Sequence, residues 1–313
     1  MPHILITLIL SLTSCYKPTH KEKPTLPVEK TKLERLADKA TLYRSLQPTA
    51  LDQDGWPTLN SPCDAVGFLA LCKTAGECQK ANYFDAEESP GKWQRNQYKN
   101  CVETGKSKTS ISKDMLVMGF VYGLFGMDKP TATGYFNRLE EYGRANDWIM
   151  GYPSETLEEL GRVYMTPNMT LTLYNIIEHI TGVRRETDLP PYQRVPGGYQ
   201  AHLRVLDVII QGKIKGGIDV VHMGDLNELH DRDPRNALYQ AVFHRYRDGD
   251  MTEVADILLD EKLFPSDRLP ASKDRCAHYL WERDQGKDWE SCDENFTHDA
   301  IDFLFVYWYA GFK

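Results

Sequence analysis

The sequence of 313 residues lacks the short motifs that mark several common enzyme classes. It contains no G-x-S-x-G, no H-E-x-x-H, no Walker loop and no G-x-G-x-x-G. Serine hydrolases, zinc metallopeptidases and nucleotide-binding enzymes therefore lose support. We expect no cofactor.

A basic face is also missing. The chain has 37 Lys and Arg against 45 Asp and Glu, with a formal net charge of -8, and the two signs are interleaved along its length. Binding to a nucleic-acid backbone needs a concentrated positive surface. We therefore expect no nucleic-acid partner.

The N-terminal apolar run, residues 1–15, is too short to span a membrane, which takes about 20 apolar residues. Its length suits the hydrophobic region of a signal peptide. Leu12-Thr13-Ser14-Cys15 resembles the lipobox of bacterial lipoproteins, in which the cysteine is acylated and becomes the first mature residue. The run departs from the pattern in offering only His3 where lysine or arginine is usual. The alternative is a buried strand followed by a chance cysteine.

This resemblance implies a membrane partner and a location. Tyr16 and Lys17 follow the cysteine, and no aspartate occupies the second mature position, where the enterobacterial pattern would use it for retention in the inner membrane. We therefore expect an outer-membrane lipoprotein that faces the periplasm or the cell exterior. Residues 16–30 hold three prolines and many charges, which predicts an extended linker before a domain at residues 31–313.

Six cysteines remain after Cys15, and an even number suits disulfides in an oxidising compartment. Other pairings among the first four stay open, but the preferred pairs are Cys72 with Cys78, Cys63 with Cys101 and Cys276 with Cys292. A zinc site is the alternative, yet there is no C-x-x-C and only His278 lies close to a cysteine. We expect disulfides, no metal and no catalytic cysteine.

Apolar residues recur every three or four positions through most of the domain, a period that predicts α-helices. Capping residues or prolines mark several starts, as at Ser61-Pro62, Ser112 and Thr166-Pro167. The predicted helices are at about residues 33–46, 61–72, 110–125, 131–146, 166–180, 198–212, 235–247, 251–260, 275–284 and 297–310. The best strand candidate, Gly217–Val221, could equally begin a helix.

So many helices, without regular alternation with strands, predict a single all-α domain. Two architectures fit this prediction: an α/α toroid, whose helical hairpins surround a central cavity, and a stacked helical solenoid. We expect the toroid, because a solenoid usually shows a repeat of fixed period and none is visible.

Three segments between residues 63 and 125 carry a second resemblance. Cys63-Asp64-Ala65, Gly91-Lys92-Trp93-Gln94-Arg95 and Ser110-Ile111-Ser112-Lys113-Asp114-Met115 resemble segments of bacterial and phage proteins of the α/α-toroid type. Glycoside hydrolases and polysaccharide lyases are common on that architecture, so the resemblance implies a carbohydrate substrate. No catalytic signature of such a family is present for transfer.

Candidate catalytic groups follow from position. Asp64, Asp114, Asn168, His202 and Asp299 lie near predicted helix N-termini, where a toroid would gather polar groups at one rim. A glycosidase needs one protonated carboxyl group as acid and one ionised group as base or nucleophile, and we choose Asp64 and Asp114.

A lyase would instead use His202 or Tyr164 as the base, with Arg95 neutralising a uronate carboxylate. Trp93 is a candidate platform for sugar stacking, and Asn168 a further substrate-binding residue. Each candidate also has a structural alternative: a helix-dipole or capping role for the aspartates and Asn168, core packing for His202, Trp93 and Tyr164, and an ion pair for Arg95. The function is therefore either a glycan-cleaving enzyme or a non-catalytic lipoprotein that binds a glycan or an envelope partner.

Overall fold

A computed structural model describes residues 30–57, 65–97, 111–151, 163–189, 201–272, 296–297 and 299–313. The predicted signal peptide, nearly all of the predicted linker and the helix predicted at 275–284 lie outside these residues. So do several of the residues singled out from the sequence: Cys15, Cys63, Asp64, Cys101, Cys276, His278 and Cys292.

The described residues are mainly α-helical, which confirms the all-α prediction. The helices are α1 Lys32–Leu46, α2 Ala65–Thr74, α3 Lys113–Phe125, α4 Lys129–Ala145, α5 Pro167–Thr181, α6 Ala201–Lys215, α7 Val220–Arg232, α8 Ala237–Arg247, α9 Thr252–Leu259 and α10 Ile301–Tyr309. Short strands form three antiparallel pairs: β1 Glu87–Ser89 with β2 Lys92–Trp93, β3 Ile149–Gly151 with β4 Val163–Tyr164, and β5 Ala271–Ser272 with β6 Phe296–Thr297.

Side-chain caps fix several of the helix starts. Thr166 accepts a hydrogen bond from the backbone N–H of Met169, with Pro167 at the first position of α5. Asp219 accepts from the N–H groups of Val221 and His222 at the start of α7. The segment considered as a strand candidate therefore leads into a helix.

The core is continuous through the bundle. α2, α3 and α10 are buried on nearly every side, as expected of central helices, and residues 32–313 form one compact unit. Cys72 and Cys78 form a disulfide with their Cα atoms 5.7 Å apart, which confirms that predicted pair. No helix among the described ranges is both long and apolar enough to cross a membrane.

Six helices run in one direction, because their C-terminal turns meet. α6 meets α3 where Lys213 Nζ lies 5.3 Å from the ring centre of Phe125. α8 meets α10 where Arg245 donates to the carbonyl oxygen of Tyr309 at 2.6 Å. The other such contacts are Gly212 with Tyr246 for α6 and α8, and Lys313 with Ala75 for α10 and α2. Ile180 at the end of α5 and Leu124 at the end of α3 line the same cavity.

Consequently α2, α3, α5, α6, α8 and α10 all begin at one end, here named the N-terminal end of the bundle. The end where they finish is named the C-terminal end. α4, α7 and α9 run the opposite way: Lys129 of α4 borders the last turns of α3 and α5, Lys215 of α6 bonds the α7 cap Asp219 at 3.1 Å, and Arg235 before α8 pairs with Asp260 after α9.

Candidate functional site

Residues 93–95 connect the starts of α2 and α3 through backbone hydrogen bonds at the N-terminal end. The carbonyl oxygen of Arg95 accepts from the N–H of Val66 at 2.9 Å, and that of Trp93 accepts from the N–H of Ile111 at 3.3 Å. The described parts of the three segments that resemble toroid proteins therefore meet in space, although they are separated in the sequence.

Asp114 lies in the first turn of α3 at this junction. Its carboxylate accepts a hydrogen bond from the hydroxyl of Ser112, the residue that precedes the helix. The side chain is half-buried, so part of it reaches solvent. Its proposed partner Asp64, one position before α2, is outside the described residues.

Trp93 and Arg95 occupy different environments within the joining segment. Trp93 is 1% exposed, with its ring centre 4.8 Å from that of Tyr83 and 5.3 Å from that of Tyr135. Such burial fits the core alternative better than sugar stacking, which needs an exposed ring face. Arg95 is half-buried beside the two helix starts.

Other candidates from the sequence also lie at this end. His202, in the first turn of α6, is 3% exposed, which fits the core-histidine alternative. Asn168 is half-buried in the first turn of α5. Tyr164 is 44% exposed on β4, which pairs with β3 after the last turn of α4. Tyr164 is therefore the most accessible of the described candidates.

Asp299 adds a carboxyl group before α10. Its Oδ1 accepts from the N–H of Ile301 at 3.2 Å, and the residue is 2% exposed. Burial raises the pKa of Asp299 to about 7, even though the N–H groups of Ile301 and Ala300 favour the ionised form. The group thus changes charge near neutral pH.

A polar network between α5, α6 and α7 escaped the sequence analysis. Asp207 of α6 accepts from the hydroxyl of Thr172 at 2.7 Å, and its other oxygen lies 3.5 Å from Nε2 of His222. Nδ1 of His222 lies 2.6 Å from Asp219. Burial lowers the pKa of His222, but the two carboxylates outweigh it and the pKa is raised overall. Of these contacts, only the one between His222 and the cap residue Asp219, three positions earlier, could have been predicted from the local sequence.

Among the residues that the structure describes, no three His, Cys, Asp or Glu side chains come together as metal ligands. A scan against protein-family models, a search of curated proteins and a search of solved structures each found no match to this chain.

Proposed function

We propose that this chain is a lipid-anchored envelope protein that acts on a polysaccharide or a peptidoglycan glycan, as a hydrolase or a lyase. The observation that carries the proposal is the shared direction of α2, α3, α5, α6, α8 and α10, which follows from the contacts between their C-terminal turns. Asp114, Asn168, His202 and Asp299 all lie at the starts of these helices. His202 and Asp299 are buried at these starts, whereas Asp114 and Asn168 are half-buried and Tyr164 is 44% exposed, so an extended substrate can reach the last three side chains.

The proposed architecture is an α/α toroid. α2 packs against α3 and α10, α3 packs against α6, α6 against α8, and α8 against α10, so the contacts return to the first helix. α4, α7 and α9 run in the opposite direction and pack against members of this ring. A toroid of helical hairpins has this alternation of direction, and its cavity would open at the N-terminal end.

Aromatic side chains pack together at the C-terminal end, between the last turns of α3 and α10. The rings of Phe125 and Trp308 contact each other there with their centres 5.6 Å apart, in an edge-to-face arrangement. Trp308 also contacts Phe305 and Tyr309. These aromatic side chains occupy the space between the ends of α3 and α10, so we expect substrate to enter from the opposite end.

In a hydrolase, Asp64 and Asp114 would supply the acid and the base or nucleophile. In a lyase, His202 or Tyr164 would take the proton next to a uronate, and Arg95 would neutralise the carboxylate of that sugar. The two reactions differ in product, because only the lyase leaves an unsaturated sugar.

Assays for reducing sugars and for unsaturated products, on a panel of polysaccharides and peptidoglycan, test this proposal. We expect Asp114→Asn to lower kcat by about 100-fold or more, because the amide neither accepts nor donates the proton. Glu253→Gln is the matched control, since Glu253 also lies in a first helical turn but at the C-terminal end. Equal activity of Asp114→Asn and the wild-type protein would remove Asp114 from the mechanism.

The second candidate function is binding without catalysis. The burial of His202 and Trp93 favours it, as does the bond from Ser112 to Asp114, which resembles a local capping contact. Glycan retention without any released product, by wild-type protein of confirmed fold, would identify a binding lipoprotein.

The lipid anchor needs its own test. In bacteria labelled with radioactive palmitate, we expect the wild-type chain to carry the label and to sediment with the outer membrane. Cys15→Ser should lose the label and leave the membrane fraction, because no acyl chain can be attached. If the Cys15→Ser variant still carried the label, the lipid would be attached to a residue other than Cys15.

A further inference from the structure

Two arginines share one buried carboxylate in the second half of α4. Glu140 is 7% exposed, and its Oε1 accepts from Nε of Arg144 at 3.0 Å. Arg185, which follows α5, donates its Nε to Oε2 of the same carboxylate at 2.9 Å. One guanidinium would neutralise Glu140. The second leaves the group with a net positive charge, despite the repulsion between like charges.

Both guanidinium groups remain accessible from solvent. The side chains of Arg144 and Arg185 are 51% and 25% exposed, against 9% for Glu140. The bonds to Glu140 use Nε of each arginine, so the two terminal nitrogens of each guanidinium lie outside these bonds. A planar group with such nitrogens can bind a further carboxylate through two parallel hydrogen bonds.

Aromatic rings border the arginines. The guanidinium carbon of Arg144 lies 5.3 Å from the ring centre of Tyr174, and the ring of Trp148 lies 5.9 Å from Tyr174. Burial raises the pKa of Tyr174, while the charges of Arg144 and Arg185 oppose that rise, so both cations act on the same hydroxyl. Trp148 is half-buried, which leaves part of its indole exposed.

The backbone at Trp148 is strained. Asp147 and Trp148 have φ angles of 52° and 60°, a left-handed conformation that costs roughly 1–2 kcal/mol for each non-glycine residue. The indole packs on Gly143, where a β-carbon would lie 2.5 Å from a ring carbon. The N–H of Trp148 donates to the carbonyl of Gly143 at 2.7 Å, and its own carbonyl accepts from Met165 at 2.9 Å. These contacts hold the ring in one orientation.

Arg144 and Trp148 lie at the N-terminal end, because α4 runs opposite to α3 and Arg144 is in its last turn. Arg185 comes from the segment that follows α5 and joins them through its bond to Glu140. Met165, which bonds Trp148, directly follows Tyr164 and precedes the cap of α5. Trp148 therefore lies next to the β3–β4 pair that carries Tyr164 and near the start of α5, the helix of Asn168; both residues are substrate-binding candidates from the sequence.

We propose that Arg144, Arg185 and Trp148 form a subsite for an acidic sugar, with the guanidinium groups binding a uronate carboxylate and the indole face packing against the sugar ring. This inference rests on the proposed function and narrows its substrate to uronate-containing glycans. The subsite also gives a reason for two energetically unfavourable features that folding does not require. These are the second arginine beside Glu140 and the left-handed backbone conformation of Trp148.

Binding of the full-length lipoprotein in detergent micelles tests the subsite. The probes are polygalacturonate, alginate and hyaluronan as acidic glycans, with mannan and dextran as neutral ones, compared by affinity electrophoresis and calorimetry. We expect Arg185→Gln to weaken binding of an acidic glycan by about 10- to 100-fold, the usual range for hydrogen bonds to a charged group. Binding of a neutral glycan should not change. Arg144 still neutralises Glu140 in this variant, so the fold is preserved.

Two further variants separate the contribution of the Trp148 ring to binding from the general effect of removing an arginine. Trp148→Asn removes the ring but tolerates the left-handed backbone, and it should weaken binding of the acidic glycan as well. Arg268→Gln, which removes an exposed arginine paired with Asp267, is the control and should have no effect. Equal binding by Arg185→Gln and wild-type protein would overturn the subsite.

The wild-type results separate this inference from the proposed function. Binding or cleavage of neutral glycans with no acidic glycan bound would overturn the subsite and leave the proposed function standing. No binding or cleavage of any glycan would overturn both. Acidic-glycan binding that requires Arg185 and weakens with salt supports both, because salt screens the charges.

Discussion

The two ends of the bundle are made by the same six helices and differ in chemistry. At the C-terminal end, aromatic rings pack together and cationic groups of Arg245 and Lys313 bind backbone carbonyl oxygens. At the N-terminal end, helix caps and carboxyl groups lie beside short strand pairs. Cations suit the negative pole of a helix and acceptors suit the positive pole. The C-terminal end therefore holds packed rings and cation–carbonyl contacts, whereas the N-terminal end holds polar groups of different burial, from Asp299 at 2% exposed to the half-buried Asp114.

The largest expected effect concerns Asp299 at the N-terminal end. Its pKa of about 7 in the folded protein lies above the ordinary value of 3.8, so the folded state holds a proton that the unfolded state has released. Stability from this proton is complete below the ordinary pKa and is lost as pH rises towards 7. Asp299→Asn keeps a capping side chain without the charge, and should raise the free energy of unfolding at pH 8 by up to about 4 kcal/mol.

Urea unfolding at pH 5 and pH 8 measures this difference. The matched control is Asp128→Asn, because exposed Asp128 caps α4 at the C-terminal end and a hydrogen bond from Thr131 lowers its pKa. That substitution should not stabilise the protein at pH 8. If the wild-type protein were as stable at pH 8 as the Asp299→Asn variant, the buried carboxyl group of Asp299 would not be a source of pH-dependent stability.

The next effect concerns packing at the C-terminal end. A β-carbon added at Gly212 would lie 1.7 Å from the hydroxyl oxygen of Tyr246 and 2.3 Å from its ring. We expect Gly212→Ala to destabilise the protein by about 2–3 kcal/mol, because α6 and α8 must move apart. Thermal unfolding with calorimetry measures the loss.

Gly224→Ala controls for the general effect of alanine in a helix. Nothing lies within 4 Å of a β-carbon at Gly224 in α7. That change should stabilise the protein by about 0.5–1 kcal/mol, since alanine is the better helix former. Similar effects of the two substitutions would mean that α6 and α8 do not approach closely at Gly212.

The smallest effect concerns a cap at the N-terminal end. Thr166 accepts from the N–H of Met169 at 3.3 Å. Thr166→Ala should cost about 1 kcal/mol of stability, because this N–H loses its acceptor, whereas Thr166→Ser should cost much less. Denaturant unfolding of both variants gives the comparison. If alanine and serine destabilise α5 equally, the cap contributes nothing and Asn168 owes its position to packing.

Local features were well predicted from the sequence. Thr166-Pro167 begins α5 and Cys72 pairs with Cys78, as the sequence predicted. Helix periodicity, caps and a disulfide across a short loop depend on residues close in sequence, so they can be recognised without a structure. The sequence left Gly217–Val221 open between a strand and a helix start, because a short β-branched run fits either; the structure shows a helix start capped by Asp219.

The site was predicted only in part. Placing Asp114, Asn168, His202 and Asp299 at or just before helix starts was correct, because helical periodicity and, for α5, the Thr166-Pro167 start signal reveal those starts. Their exposure was not readable, since burial of His202 depends on the helices packed over it. The meeting of Glu140 with Arg185 and of Asp207 with His222 was missed for the same reason. Each pair lies on different elements, and no sequence spacing links them.

By itself, then, the sequence determined most of the described helices and their approximate bounds, though not α7, because contacts within a helix join residues three or four positions apart. Only the tertiary structure decided that six helices share a direction, that rings of α3 and α10 pack together at one end and that two arginines meet one carboxylate. These features arise from burying apolar faces of distant segments against each other, and the partner of each face is chosen by the whole fold.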